Sequence, residues 1–270
     1  MTTKTPITTI YLLLMLQWLN AQTVYEFNHL LEYEVQTIEF SKLNKIVNKK
    51  KYIKYILTDA NDNNFRAELR WIDQKDSLSF KFTHNNNLHF YSAFSQEELE
   101  HADVYTVPQN LIVACGFDDK NVKHYRSVIQ SDTIINSIPH KRYKIENIDA
   151  KRQQLKKTSS VYYIIEPNTE HHGPIFTQEV CHEILKSNPI FPNGIAKIKY
   201  FVDFKGNINY IEKLLSVEEI HKELYVGKFN KRNVIDRQNA IGRRTKKRFH
   251  SSLSQRIPLT TNSGCRASNF

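Results

Sequence analysis

Imidazole, thiol and carboxylate side chains gather in one stretch of the chain, Glu170-His171-His172-Gly173 followed by Cys181-His182-Glu183. These are the usual ligands of zinc. Ile175, Val180, Ile184 and Leu185 predict a helix over 174–186. Such a helix sets His182 one turn from Gln178 on one face and leaves His172 just ahead of its N-terminus. His171 or His172 with His182 and Glu183 then form a candidate zinc site, and the chemistry it would serve is metal-dependent hydrolysis. The spacing is not that of HExxH or of paired CxxC motifs. The plainer alternative is a polar loop capping a helix, with His182 on the solvent side.

Other reactive types are sparse. The cysteines are Cys115, Cys181 and Cys265. Cys115 and Cys181 are the candidate disulfide, because Cys265 sits in a stretch of different character. Nothing around Val113-Ala-Cys-Gly-Phe117 marks an activated thiol. No GxSxG elbow, GxGxxG or GxxxxGK[ST] phosphate loop occurs, and seven glycines leave little material for one. Glu32 and Glu34 share one strand face, where a solvated row of charge is the expected role. No catalytic residue is assigned, and no cofactor beyond the candidate zinc.

The elements that would position these groups are mostly strands. Phe65, Ala67, Leu69 and Trp71 alternate with Arg66, Glu68 and Arg70, a period of two that sends one set inward and the other towards water. Leu31, Tyr33 and Val35 repeat the rhythm, as do Leu78, Phe80 and Phe82, then Ile198, Tyr200, Val202 and Phe204, then Ile208 and Tyr210. Asn- and Asp-rich turns separate the runs, and short turns make neighbours antiparallel. Further strands are expected at 50–58, 122–135, 141–148 and 160–166. Ser95 with Glu98 forms a capping box for a short helix, and a second short helix is expected over Val217–Leu224. The fold class is mainly β (β-rich α+β): an antiparallel meander, open barrel or sandwich with one or two short helices.

Phe191-Pro-Asn-Gly-Ile195, the strand after it, Asp203-Phe-Lys-Gly-Asn207 and the closing strand resemble the C-terminal hairpin of uncharacterised secreted bacterial β-rich proteins of the GLPGLI type. The resemblance covers this hairpin and the N-terminal segment. The namesake motif is absent, with Pro192-Asn-Gly-Ile195 the nearest string. The resemblance implies a secreted, β-rich architecture and no activity.

Residues 1–21 follow the order of a signal peptide: Lys4, the apolar run Ile10–Leu16, polar Gln17 and Asn20, then small Ala21. The run is far shorter than the roughly 20 residues of a membrane span. Export to the periplasm or outside the cell is expected, with no transmembrane span in the mature chain. The net charge is +10, yet residues 228–270 hold eleven of the 38 basic residues and one of the 28 acids, so residues 1–227 carry 27 of each. One β-rich domain over 22–227 and a basic, disordered tail over 228–270 are expected. The densest part, Arg243, Arg244, Lys246, Lys247 and Arg248, suits an anionic surface. Export argues against nucleic acid. The leading expectation is a non-enzymatic exported domain that binds an apolar ligand or an envelope protein. The alternatives are the hydrolase at His171–Glu183 and anionic-surface binding through the tail.

Overall fold

The computed structural model describes residues 23–72, 77–85, 88–107, 112–114, 119–166, 169, 181, 183–184 and 194–226. The export segment, the basic tail, Cys115, Cys265, His171, His172 and His182 lie outside them.

Two antiparallel meanders build one sheet. The first runs through β1 (Thr23–Phe40), β2 (Ile46–Thr58), β3 (Phe65–Trp71), β4 (Ser77–His84) and β5 (Leu88–Ser95), and ends on β7 (Ile112–Ala114). The second runs through β8 (Tyr125–Ile135), β9 (Ile138–Asn147), β10 (Ser160–Ile165), β11 (Ala196–Val202) and β12 (Ile208–Val226). The long first and last strands join them, giving the order β7-β5-β4-β3-β2-β1-β12-β11-β10-β9-β8 within a 12-stranded sheet. The twelfth strand, β6 (Val104–Val107), lies parallel to the end of β12. The sheet is open, and mainly β is the observed class.

Local chemistry explains most boundaries. Helix α1 (Gln96–His101) starts at the expected capping box: Ser95 Oγ accepts from Glu98 N at 3.1 Å and Glu98 Oε2 accepts from Ser95 N at 2.7 Å. Helix α2 (Ala150–Lys156) is capped by Asp149, whose Oδ1 accepts from Lys151 N and Arg152 N, and it ends on left-handed Lys157. A 3-10 helix, Asp119–His124, occupies the front of the segment expected as strand 122–135, which begins at Tyr125.

The helix expected over Val217–Leu224 is strand. Residues 217–224 pair with β1 from Leu31 back to Tyr25, and the ladder shifts register between Phe27 and His29 and between Glu32 and Tyr33. Both extra residues sit on β12. Bulges of this kind bend a strand and break its alternation, which blurs the period-two signal in that stretch.

The bend has a packing consequence. Tyr25 lies 4.8 Å, ring to ring, from Phe82 on β4. Three strand spacings in a flat sheet would separate them by about 14 Å. The upper end of the β1–β12 ribbon therefore folds back over β3–β5. Phe65, Leu69, Phe80, Phe82 and Phe90 meet Tyr25, Phe27, Tyr105, Leu224 and Val226 in the largest apolar cluster. Here the expectation for Phe65, Ala67 and Leu69 holds, since all three are buried, whereas Trp71, the fourth of that set, is 37 % exposed.

Their alternating partners break the expectation. Arg66 is 4 % exposed and Glu68 is largely enclosed. In β11 the inward set is Lys199 and Phe201, while Tyr200 stacks on Tyr162 at 4.7 Å on the opposite side. The polar face of β2–β5 is thus enclosed at Thr58, Arg66, Thr83 and His89, and open at Arg70 and Tyr91. We call it the inner face, and the face carrying Phe82 the outer face.

Candidate functional site

Register assigns the inner face residue by residue. One row crosses the sheet as direct cross-strand neighbours: Tyr143, Tyr163, Lys199, Glu212, Val35 and Tyr52. A second row crosses β1 to β5: His29, Thr58, Arg66, Thr83 and His89. Between them lie Leu31 with Ile56, Glu68 and Lys81, and Leu214 with Tyr33 and Lys54.

The face is concave. Arg66 on β3 acts electrostatically on the Tyr163 hydroxyl of β10. Five strand spacings separate those strands, about 24 Å if flat, well beyond screening range in salt water. Curling brings the two together. Cys181, Ile184 and Ile195, from the connection between β10 and β11, pack onto the same face.

Its apolar wall has two parts. Leu31, Tyr33, Val35, Ile56 and Leu214 pack with Ile195 in one cluster, and Tyr143, Ile145, Val161, Tyr163 and Ile165 pack with Cys181 and Ile184 in the next. Gly194 makes that connection possible: at φ +140° a Cβ would fall 2.6 Å from Glu166 O and 2.8 Å from Ile165 Cγ2. Only glycine combines that dihedral with so close an approach.

Set into this wall is a charge cluster. Lys54 and Tyr210 donate to Glu212 Oε1, and Lys199 Nζ lies 2.6 Å from Glu212 Oε2. Burial pushes the Glu212 carboxyl up, but Lys199 and Lys54 outweigh it and hold it at about 2. Burial pulls the Lys199 ammonium down, and Lys54 adds to that pull against Glu212. Both directions follow from two lysines sharing one carboxylate in an enclosed place. Glu68 also sits below the usual carboxylate range: burial raises it, and Lys54, Lys81, Arg66 and Lys199 more than compensate. Burial and then Glu212 drive the Tyr33 hydroxyl far up, so it stays a neutral donor, to Ala196 O at 3.2 Å.

Beside that cluster lies a polar patch with unmet bonding capacity. Arg66 Nε, Glu68 Oε1 and Thr83 Oγ1 are all enclosed and without a hydrogen-bond partner among the described residues. Arg66 Nε and Glu68 Oε1 stand 3.5 Å apart, an ion pair too long for a strong hydrogen bond. Leaving buried donors and acceptors unpaired costs about 1–3 kcal/mol per group. A fold retains such groups where something else completes them.

The residues singled out by sequence type fare differently. Glu183 is half-buried, whereas His171, His172 and His182 lie outside the described residues, and so does the geometry of a zinc site. No group of three or more metal-ligating side chains occurs among the described residues. Cys181 is fully enclosed; its Sγ accepts from the Tyr163 hydroxyl at 3.7 Å, and burial pushes the thiol up to about 12. An unreactive thiol follows. Its candidate partner Cys115 lies outside the described residues, as do Arg243, Arg244, Lys246, Lys247 and Arg248. Glu32 accepts from Ser216 Oγ and Glu34 pairs with exposed Lys51, a surface role for both. Lys54, Arg66, Lys199 and Glu212 were not singled out by sequence. The only available signal was that the charged partners of the alternating runs recur on several strands.

No family model and no curated protein matches the chain. Solved structures resemble it at low level. A chain of the Pseudomonas aeruginosa MucA/MucB complex overlaps 76 % of this chain and 54 % of its own, at TM-score 0.35 and 9 % identity. The domain of a putative outer membrane lipoprotein-sorting protein from Vibrio parahaemolyticus overlaps 77 % and 89 %, at TM-score 0.30 and 5 % identity. A DUF1329 family protein from Desulfovibrio piger overlaps 79 % and 93 %, at TM-score 0.28 and 9 % identity. The chain spans about half the length of the MucB chains it resembles. Scores this low assign neither a fold family nor an activity.

Proposed function

We propose that the chain is an exported binding module for an amphiphile with an acidic head group, held on the inner face. The observation that supports this is the enclosed Arg66–Thr83 patch, with unmet hydrogen bonds, set into a wall of Leu, Ile, Val and Tyr. An apolar tail suits the wall through Leu31, Val35, Ile56 and Leu214. An acidic head suits Arg66, whose guanidinium donates to carboxylate or phosphate oxygens. The Lys54–Glu212–Lys199 cluster keeps the surrounding potential positive. The signal-peptide pattern supports a location in the cell envelope, where amphiphiles need carriers.

A direct envelope-protein partner is less well supported. Specific protein interfaces need a sizeable exposed patch, and the large apolar clusters among the described residues are enclosed.

Titrating the full chain with a fluorescent long-chain fatty acid tests the reading. Saturable binding near one equivalent, displaced by unlabelled fatty acid, is expected. Absence of saturable binding to fatty acids and to phospholipids would overturn it and leave the patch to ordered water.

A further inference from the structure

The hairpin between β1 and β2 ends in an unusual tip. Leu43, Ile46 and Val47 are 81 %, 61 % and 68 % exposed. Around them stand Lys42, Lys45, Lys49, Lys50 and Lys51, all exposed. Lys205, from the turn between β11 and β12, reaches across to Lys42 O and Asn44 Oδ1, both at 3.3 Å. Within 39–51 and 203–207, six lysines face two acids, Glu39 and Asp203.

The tip is built and held. Ser41 N donates to Lys45 O at 2.8 Å, Asn44 N donates to Ser41 O at 3.1 Å, and Ser41 Oγ accepts from Lys45 N at 3.1 Å. Asn44 takes the left-handed conformation at φ 59°, which Asn tolerates. Asn207 and Lys205 brace it from the neighbouring turn. The tip also projects: β2 has no β3 partner before Lys54, and β1 has no β12 partner after Thr37. Exposed aliphatic residues are therefore presented on a fixed support.

We infer that this tip docks the protein on the surface of an anionic phospholipid bilayer. Charge complementarity selects that occupant. Lysine is depleted in protein–protein interfaces, where aromatic residues and arginine are favoured; this tip has no arginine, its two rings, Phe40 and Phe204, are half-buried, and its exposed side chains are mainly lysine and aliphatic. A bilayer with anionic head groups attracts clustered lysines and admits short aliphatic side chains at the head-group boundary. Tyr52 and Tyr210, at this end of the inner face, follow the same strands inward from the tip. Docking would bring that end of the inner face to the lipid. The inference does not depend on the nature of the ligand held there.

The test is flotation of the full chain with vesicles of phosphatidylcholine alone or mixed equally with phosphatidylglycerol. Binding to the mixed vesicles, weakened by salt, is expected. Ile46→Asp with Val47→Asp should lower it by about tenfold or more, since both insertion and charge attraction suffer. Lys45→Glu with Lys49→Glu should lower it comparably and flatten the salt dependence. Thermal unfolding of both variants should match the parent, because the tip is exposed. Binding unaffected by either pair would overturn the inference. So would binding lost only on replacing Arg243, Arg244, Lys246, Lys247 and Arg248 with alanine, and so would absence of binding to either vesicle.

Discussion

Strands β3 to β5 are enclosed on both faces around Arg66 and Phe82, yet the two faces are built from opposite materials. The outer face carries Phe65, Leu69, Phe80, Phe82 and Phe90, with ring pairs such as Phe82–Phe90 at 5.1 Å. The inner face of the same strands carries Arg66, Glu68, Lys81, Thr83 and His89. Packing apolar rings against apolar rings needs no exact partner atoms, and it stabilises through burial alone. Enclosing arginine, lysine and glutamate does need partners, and it gains little stability even when they are found. The outer face is accordingly the scaffold. The inner face accepts an energetic cost that its own packing does not recover, which is the usual mark of a functional surface.

The largest effect should come from the scaffold. Phe82→Ala should cost about 4 kcal/mol by leaving a cavity among rings, read as a drop in the denaturant midpoint. Glu212→Gln comes next. Removing the charge leaves Lys54 and Lys199 enclosed without their carboxylate, at about 3 kcal/mol. Its pH signature separates it from a packing defect. The folded-state value of Glu212 is depressed to about 2 from 4.5. Its contribution is therefore complete above about pH 4.5 and is lost as pH falls towards 2. Acid unfolding curves of parent and Glu212→Gln should converge across that window; parallel curves would show that the carboxylate does not stabilise the fold.

Gly194→Ala should cost about 2 kcal/mol through strain and the clash with Glu166 O, and it should loosen the connection that packs on the inner face. Faster proteolysis between β10 and β11 is the expected readout. The smallest stability effect belongs to Arg66→Met, about 1 kcal/mol below the parent, because Glu68 loses its partner at 3.5 Å but keeps the field of Lys54, Lys81 and Lys199. That substitution removes an enclosed donor lacking a bond and keeps the volume of the stem. A large loss there would mean that Arg66 is structural and would erase the contrast between the faces.

How far the sequence revealed this contrast depends on the residue. Alternation located β3, β4, β11 and parts of β1 and β12, and Ser95 with Glu98 located α1, because those signals are local. Alternation tells which residues share a face, but not what covers it. Arg66 and Glu68 read as water-facing only because charge usually is; the curl of the sheet that encloses them arises from distant strands. In β11 the expected set of Ile198, Tyr200 and Val202 yields the inner face to Lys199 and Phe201 for the same reason. The last strand read as a helix at 217–224 because two bulges break its period. Helix α2 has no buried residue and so shows no apolar stripe. The Lys54–Glu212–Lys199 cluster joins positions more than 150 residues apart in part, visible only once β1 and β12 pair.

The most direct test of the central claim compares ligand affinity between the faces. Fatty-acid titrations should be run on the full chain, on Arg66→Met, and on Leu69→Val, which touches only the outer face. Arg66→Met should weaken binding by about tenfold or more, the loss of one charge-assisted contact, at near-parental stability. Leu69→Val should lower stability and leave affinity unchanged. Equal affinity of Arg66→Met and the parent would contradict the assignment of the inner face as the binding surface.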